Sequence, residues 1–257
     1  MTPTSPFRHP LSLAERLLRR QWVEIRLRLF GPPVVAVAQG ARFLVDPTDY
    51  IDRCIAYDAM WEGSQLDDLA ALCHRRPIDL FLDVGANSGF YSVMFAVKNL
   101  APEIIAFEPD PGNYAHFCAN LFLNNLSGKV RAIPVALGNA HGDVTLYEGA
   151  KWNRGESTIA EPDQTPKEIT HRVRQTRFDD DFTLQGRSII VKMDVEGYEF
   201  EALAGMERTL RDNQCYLQVE LYSDRLDELK AWFAARGYRF LKTDYIDHFF
   251  TNMTGIG

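Results

Sequence analysis

Residues 79–89 read DLFLDVGANSG, a short apolar run that ends in two closely spaced glycines. The run predicts a buried strand, and a helix is expected directly after it, over residues 88–99. Gly85 and Gly89 allow the backbone to turn sharply and to approach a ligand closely. In doubly wound sheets such a turn lies at the carboxyl edge, where nucleotide-like ligands bind. The stretch therefore predicts an α/β domain with a ligand site at this turn.

The rest of the chain alternates strand and helix patterns, which is typical of βαβ units around a mostly parallel sheet. The predicted strands cover residues 79–85, 103–109, 130–137, 142–148 (an added antiparallel strand), 188–195, 215–222, 238–242 and 246–251. The predicted helices that follow the first strand cover residues 88–99, 110–125, 198–213 and 224–236. Polar residues 151–170 predict a long loop of the kind that often closes over a site. We expect an N-terminal extension over residues 1–70 and a ligand-binding domain over residues 71–257.

The first thirty residues differ in charge from the rest, because six arginines and two glutamates give them +4 while the whole chain carries −7. Apolar residues recur at helical spacing and predict an amphipathic helix over residues 12–30, begun by a capping box of Ser12 and Glu15. Two interpretations remain open. The helix packs on its own domain or on a partner subunit, as in a homodimer, or it lies on an anionic membrane surface.

The overall composition narrows the classes of partner. The acidic balance, with a pI of about 5.4, argues against a nucleic-acid partner, which would need a basic face. No apolar run is long enough to cross a bilayer, and charges interrupt every candidate signal peptide. The four cysteines form no CxxC pair and indicate reduced core residues. We therefore expect a cytoplasmic protein, peripheral to a membrane if the N-terminal helix binds one.

Two classes of ligand fit a glycine-rich turn of this kind. A dinucleotide site needs G-x-G-x-x-G, and here Asn87 and Phe90 break that register. An S-adenosylmethionine site has no phosphate to hold and tolerates a side chain at position 87. Asp83 supplies the acid that often precedes the first glycine of such a site. Glu108, 23 residues after Gly85, ends the next strand, where a carboxylate can accept hydrogen bonds from both ribose hydroxyls of an adenosine.

A second charged cluster lies in residues 191–200, which read VKMDVEGYEF. Lys192, Asp194 and Glu196 alternate with apolar residues at the end of a predicted buried strand. Burial of charge is costly unless the groups pair or serve a site. The cluster is therefore either a structural Lys–Asp pair or a group of functional residues.

These motifs together resemble the FkbM family of methyltransferases. The resemblance runs from about Trp61 to Glu220 and rests on FLDVGANSGFYS, IIAFEPDPGNYAHFCANLFLNN, VALGN and VKMDVEGYEFEALAGM. Trp61-Glu62 stands where the family usually has Tyr-Glu, and Met193 where Ile is usual. The resemblance implies a class I methyltransferase fold, with a seven-stranded sheet that contains one antiparallel strand near its edge. It also implies methyl transfer from S-adenosylmethionine, most often to a hydroxyl of a sugar, a glycolipid or a polyketide.

The resemblance also implies where the cofactor binds. The residues expected around its methionine part are Asp83, Gly85, Ala86, Asn87 and Gly89. Glu108 is expected at the ribose, and Ala136 and Leu137 near the adenine.

Methyl transfer to a hydroxyl benefits from a base that removes the acceptor proton. Asp194 is the candidate base, and Lys192 and Glu196 are expected to tune it. Glu220 ends the next strand, so its carboxylate should meet that of Asp194 at the same sheet edge. The two carboxylates could instead hold Mg²⁺, which prefers oxygen ligands.

Two other functions stay open on the sequence alone. A nicotinamide-dependent oxidoreductase would use the same fold, although Asn87 and the absence of a Tyr-x-x-x-Lys pair count against it. A non-catalytic ligand-binding module would keep the site without turnover. For a methyltransferase, the expected acceptor is a small molecule, a glycan or a lipid-linked compound.

Overall fold

The structure is a computed structural model that describes residue 7 and residues 11–149, 152, 154–159, 170–222 and 224–256. The helices are α1 (Leu13–Phe30), α2 (Tyr50–Asp58), α3 (Gly63–Arg75), α4 (Phe90–Val97), α5 (Pro111–Leu123), α6 (Phe178–Asp181), α7 (Glu199–Ala204), α8 (Glu207–Asp212) and α9 (Leu226–Ala234). The strands are β1 (Val34–Ala38), β2 (Ala41–Val45), β3 (Leu80–Val84), β4 (Glu103–Phe107), β5 (Val130–Ile133), β6 (Ala136–Leu137), β7 (Gly142–Tyr147), β8 (Thr170–Thr176), β9 (Ser188–Met193), β10 (Gln214–Glu220), β11 (Arg239–Asp244) and β12 (Asp247–Thr251).

Seven strands form the central sheet, in the order β11-β12-β10-β9-β3-β4-β5. The pairs from β10 to β5 are parallel, and β12 runs antiparallel to both of its neighbours. The chain thus builds outward from β3 through β4 and β5 and then returns to the other side of β3. The carboxyl ends of β3 and β9 lie side by side at this change of direction, where ligands bind in such sheets. The doubly wound class I methyltransferase fold is confirmed, including the antiparallel strand next to the edge.

Apolar side chains cover both faces of this sheet. On one face Phe81 stacks on Phe95 with ring centroids 3.7 Å apart, and Phe43 and Leu66 from the N-terminal region belong to the same buried cluster. On the other face Val191 and other strand residues pack against α7, α8 and α9. The strands read as continuous apolar runs because both faces are covered.

The N-terminal region contains more structure than one helix. Helix α1 begins after Ser12, and the expected capping box is present: the Glu15 N–H donates to Ser12, whose own N–H donates to the Glu15 carboxylate. Strands β1 and β2 form an antiparallel hairpin. Neither this hairpin nor helices α2 and α3 were predicted from the sequence. Within the described residues, no helix has both the length and the apolar character needed to cross a bilayer.

Three predicted strands are corrected. The run 130–137 is two strands, because Pro134 has no N–H to donate and interrupts the ladder after Ile133. The added antiparallel strand, β7, does not join the central sheet; it pairs with β8 in a small sheet of order β6-β8-β7. The strand predicted over 188–195 ends at Met193. The expected loop 151–170 lies mostly outside the described residues.

Candidate active site

A cleft of about 560 Å³ opens at the carboxyl ends of β3 and β4. Five of the eight residues predicted to bind the cofactor line it: Gly85, Asn87, Glu108, Ala136 and Leu137. Apolar walls come from Phe107, Val135 and Leu146, and Asp194 and Glu196 close one end. The cleft thus combines apolar walls with a few polar groups, as small-molecule sites generally do.

Glu108 is a buried carboxylate on the wall of this cleft. One carboxylate oxygen accepts the N–H of Asn87 at 2.7 Å, and the other accepts the N–H of Asp110 at 2.8 Å. Burial raises the pKa of Glu108 to about 8, although these two backbone bonds oppose the shift. Each carboxylate oxygen has a further lone pair. The ribose hydroxyls of an adenosine would be suitable donors to it.

The turn after β3 brings the backbone of two loops into contact. Gly85 has φ +82°, and a Cβ on it would overlap the carbonyl oxygen of Asp194. The Asp194 N–H in turn donates to the Val84 carbonyl at 2.9 Å. The glycine therefore allows the β3 turn and the turn after β9 to form one continuous floor. The Glu108 carboxylate beside the apolar walls of the cleft fits the adenosyl part of S-adenosylmethionine, which carries ribose hydroxyls and a flat base.

Three residues predicted at the cofactor do not line the cleft. The Asp83 side chain, on β3, is buried against α4. Its carboxylate accepts the backbone N–H of Ser92 at 3.1 Å and the Ser92 hydroxyl at 2.7 Å. The Ala86 N–H donates to the Phe107 carbonyl. Gly89 precedes α4 with φ +80° and lies against the Phe117 ring, which leaves no room for a Cβ. In the structure these residues shape and hold the turn.

A second cavity, of about 810 Å³, adjoins the cleft. Asn87, Asp194 and Glu196 line both. The other residues around the second cavity include Tyr50, Trp61, Glu62, Gln65, Glu220, Tyr222, Tyr245 and Asp247. The two spaces therefore share a polar wall at the end of β9.

Lys192 and Asp194 form an ion pair at this wall, with 2.9 Å between Nζ and Oδ2. Lys192 belongs to β9 and is buried, whereas Asp194 and Glu196 follow the strand instead of alternating along it. The alternation stops because the chain turns after β9: Glu196 and Gly197 have positive φ values of 54° and 96°, which a strand does not allow.

Lys192 is the centre of a group of buried acids. Burial opposes its charge, but Asp194, Glu62 and the other nearby carboxylates outweigh burial and raise the pKa of Lys192 well above its usual value. It also lies 5.0 Å from the centroid of the Tyr91 ring, whose hydroxyl donates to Glu62 at 2.6 Å. Lys192 thus stays protonated, and it forms an ion pair with Asp194.

Glu220, Glu62 and Asp247, which line the second cavity, hold their protons more tightly than free carboxyl groups do. Burial, with a smaller contribution from Asp194, raises the pKa of Glu220 to about 9. Burial raises the pKa of Glu62 to about 6, although the positive charge of Lys192 opposes this increase. Asp247 is buried as well and accepts hydrogen bonds from Gln65 and Gln218. The Asp194 carboxylate differs from these acids in its direct ion pair with Lys192.

Carboxylate oxygens of Asp194, Glu196 and Glu220 lie within 4.8 Å of one another. The predicted proximity of Asp194 and Glu220 is thus observed, and an all-oxygen donor set suits Mg²⁺. The Lys192 ammonium already neutralises one of these carboxylates, however, and it would repel a dication at the same place.

Several residues of the second cavity were missed by sequence reasoning. Tyr50 and Glu62 come from the N-terminal region. Tyr245 lies in the turn between β11 and β12, and Asp247 begins β12. The available signals were the Trp61-Glu62 pair and an acid, Asp247, at the start of an aromatic strand. Neither signal identifies a cavity until the tertiary structure brings the two ends of the chain together.

The fold and the paired cavities define a class I methyltransferase, and comparison with known proteins places the chain within that class. The family model described as the methyltransferase FkbM domain matches residues 83–240, more than half of the chain. The chain therefore belongs to the FkbM methyltransferase family, and it is an S-adenosylmethionine-dependent methyltransferase. The nicotinamide-dependent and non-catalytic alternatives are accordingly set aside.

Named relatives are similar over much of their length. Hexuronic acid methyltransferase AglP of Haloferax volcanii is 25% identical over 220 residues, 83% of this chain and 84% of that protein. Methyltransferase 1 of Beauveria bassiana is 31% identical over 170 residues, 59% of this chain and 68% of that protein. The 2-O-methyltransferase NoeI of Sinorhizobium fredii is 24% identical over 175 residues, 59% of this chain and 69% of that protein.

Proposed function

We propose that this enzyme methylates a hydroxyl oxygen of a sugar, a glycolipid or a polyketide-type acceptor. The observation that carries the proposal is the wall shared by the two cavities, formed by Asn87, Gly155, Asp194 and Glu196. A cofactor in the cleft and an acceptor in the second cavity would meet at this wall. Such an arrangement aligns the reacting atoms and excludes water, which is most of what methyl transfer requires.

The lining of the second cavity supports a sugar as the acceptor. Tyr50, Trp61, Tyr222 and Tyr245 offer aromatic surface, which suits the apolar C–H face of a sugar ring. The carboxyl groups on the same cavity suit the hydroxyl edge, because a carboxyl group can accept hydrogen bonds from hydroxyls and, when protonated, can also donate one. The names of two relatives, a hexuronic acid methyltransferase and a 2-O-methyltransferase, are consistent with this class.

On the cofactor side we assign the ribose to Glu108 and the adenine to the apolar wall that includes Ala136 and Leu137. Gly85 and Asn87 would contact the methionine part, and Asp83, Ala86 and Gly89 would support the turn that holds it. S-adenosylmethionine supplies the methyl group, whose bond to the sulfonium sulfur breaks as the bond to the acceptor oxygen forms.

Asp194 is our candidate for the base that accepts the acceptor hydroxyl proton. Lys192 contacts one of its oxygens, which leaves the other oxygen for the hydroxyl. Glu196 and Glu220 would accept hydrogen bonds from neighbouring hydroxyls and fix which oxygen faces the methyl group. A Mg²⁺ ion held by Asp194 and Glu220 is the second candidate, supported by the oxygen donor set.

The test is Asp194→Asn, which keeps the shape of the side chain and removes its basicity. We expect turnover to fall about a hundredfold or more, the usual scale for a general base. Cofactor affinity, measured by calorimetry, should change little. Turnover is followed as S-adenosylhomocysteine release over a panel of neutral sugars, uronic acids and phenols, with the methylated product identified by mass spectrometry. Asp227→Asn, at a fully exposed position on α9, is the matched control.

EDTA then separates the two roles of Asp194. If chelation abolishes turnover and Mg²⁺ restores it, Asp194 is a ligand together with Glu220. If chelation has no effect, Asp194 acts as a base without metal. Wild-type turnover by Asp194→Asn would remove this residue from the chemistry, and methylation of phenols alone would rule out a sugar acceptor.

A further inference from the structure

Helix α1 presents a stripe of apolar side chains away from the protein. The stripe consists of Leu18, Trp22, Ile25 and Leu29, which recur on one helical face and are exposed to 66%, 46%, 57% and 69%. The opposite face is the one anchored to the protein. Val23 is buried there, and the Arg19 guanidinium donates to the carbonyls of Ile55 and Ala56 at the end of α2. The helix therefore directs an arginine inward and its apolar stripe outward.

This orientation is unusual for a helix that serves only its own domain. A surface helix normally turns its apolar side to the core, and monomeric proteins rarely expose large contiguous apolar patches. The patch extends beyond the helix, because a groove lined by Leu18, Trp22, Val37 and Ala56 continues it onto β1. An exposed apolar surface of this kind indicates a partner.

The charge around the stripe indicates which kind of partner. Helix α1 carries five arginines and two glutamates, whereas the whole chain has a net charge of −7. Arg26 lies over the rings of Trp22 and Phe30 at 4.8 and 5.7 Å, so its charge is held at the edge of the stripe. Arg28 is exposed on the other side. An apolar stripe with Trp, bordered by arginines, matches the form of helices that lie in the interface of anionic bilayers.

We propose that α1 binds the surface of an anionic lipid bilayer, with Leu18, Trp22, Ile25 and Leu29 inserted among the acyl chains. Arg26 and Arg28, which border the stripe, would lie at the headgroups. A second copy of the chain fits less well, because pairing two such stripes would bring like charges together. The contact also has a consequence for the acceptor cavity. Helix α1 packs on α2, whose first residues, Tyr50 and Ile51, line that cavity. Membrane binding would therefore hold the cavity close to the lipid surface.

The experiment is vesicle flotation of the full chain. One set of vesicles contains phosphatidylcholine alone, and the other contains equal parts of phosphatidylcholine and phosphatidylglycerol. We expect the protein to bind the anionic vesicles and to bind phosphatidylcholine vesicles more weakly. Added salt should reduce binding to the anionic vesicles. The double variant Ile25→Glu/Leu29→Glu should bind at least about tenfold more weakly, because both side chains leave the acyl region. Phe122→Glu, at an apolar position of α5 that is 76% exposed, is the matched control and should bind like the wild type.

A second pair of variants isolates the charge. Arg28→Gln should weaken binding to anionic vesicles but not to phosphatidylcholine, and Lys129→Gln, an exposed cation before β5, should change neither. All variants should keep the wild-type melting temperature, since the altered side chains are exposed. Absence of flotation on anionic vesicles, or equal flotation of Ile25→Glu/Leu29→Glu, would overturn the proposal. The proposal would also be overturned if light scattering showed that the wild type is a dimer and that Ile25→Glu/Leu29→Glu is a monomer, and if the wild type did not bind vesicles.

Discussion

Glu108 shows how one residue can serve both the loop and the ligand. Its two oxygens hold the N–H groups of Asn87 and Asp110, and thereby set the position of the turn after β3. Burial raises the pKa of this carboxyl to about 8, so the charged form is not well stabilised without a ligand. Hydroxyl donors from a ribose would stabilise it. Cofactor binding and ionisation of Glu108 should therefore favour each other.

We expect Glu108→Ala to weaken S-adenosylmethionine binding by about 2–3 kcal/mol, the scale for hydrogen bonds to a charged group. Calorimetry measures the affinity, and circular dichroism checks that the variant is folded. Glu103→Ala is the matched control, because Glu103 begins the same strand and its carboxylate is half exposed, paired with Arg187. An unchanged dissociation constant for Glu108→Ala would place the ribose elsewhere.

Gly85 gives a second prediction, because its backbone touches the turn that carries Asp194. A methyl group on residue 85 would displace the Asp194 carbonyl, so Gly85→Ala should lower both cofactor affinity and turnover. Asp194→Asn, in contrast, should lower turnover alone. Gly186→Ala is the control for backbone strain, since Gly186 has φ +68° and open space around it. If Gly85→Ala and Gly186→Ala have the same cofactor affinity and turnover, the overlap of the added methyl group with the Asp194 carbonyl does not affect function.

At the scale of elements, helix α5 joins the N-terminal hairpin to the cofactor turn. The Asn120 side chain accepts the Leu44 N–H of β2 and donates to the Ser88 carbonyl, each at 2.8 Å. One turn later Asn124 makes the same kind of pair with the backbone of Arg42. Two asparagines at i and i+4 thus replace the strand that would otherwise pair with the free edge of β2.

Asn120→Ala should destabilise the protein by about 2–3 kcal/mol, because it leaves the half-buried Leu44 N–H and the buried Ser88 carbonyl without their Asn120 partner. Asn124→Ala should cost less, since water can reach the backbone at Arg42. Urea unfolding followed by tryptophan fluorescence measures both variants. Equal costs for the two substitutions would mean that burial of the Leu44 and Ser88 groups does not decide the penalty.

The elements that the sequence predicted well are those decided by local pattern. Strands β3 and β4 and helix α1 are continuous apolar or amphipathic segments with clear turn or capping residues at their ends. Strand β8 was missed because it is polar, and its place follows from pairing with β7. The cofactor cleft was largely predictable, since its residues follow consecutive strands. The second cavity was not, because Glu62 and Asp247 meet only when α3 packs against the C-terminal strands.

At the scale of the whole molecule, several buried carboxyls have raised pKa values. Burial raises the pKa of Glu62 to about 6, of Glu199 to about 7 and of Glu108 to about 8. Each of these groups binds its proton more tightly in the folded protein than in the unfolded chain. Their contribution to stability is therefore complete below pH 4.5 and is lost as the pH rises through these values. The ligand-free protein should lose stability between about pH 5 and 9.

Glu199 allows one such contribution to be measured alone. Its carboxylate accepts the Gly197 N–H at 2.8 Å, and the amide oxygen of Gln can keep that bond, so Glu199→Gln removes the titration with little change of shape. A pKa of about 7 in the folded protein, against 4.5 for a free glutamate, corresponds to at most about 3–4 kcal/mol. We expect the melting temperature of Glu199→Gln, relative to the wild type, to rise from pH 5 to 8 and to level off above pH 8. Any fixed cost of the substitution shifts the whole curve and leaves its slope unchanged. A difference in melting temperature that stays constant from pH 5 to 9 would show that Glu199 is already ionised in the folded protein at pH 5, and that the backbone bonds at Gly197 outweigh its burial.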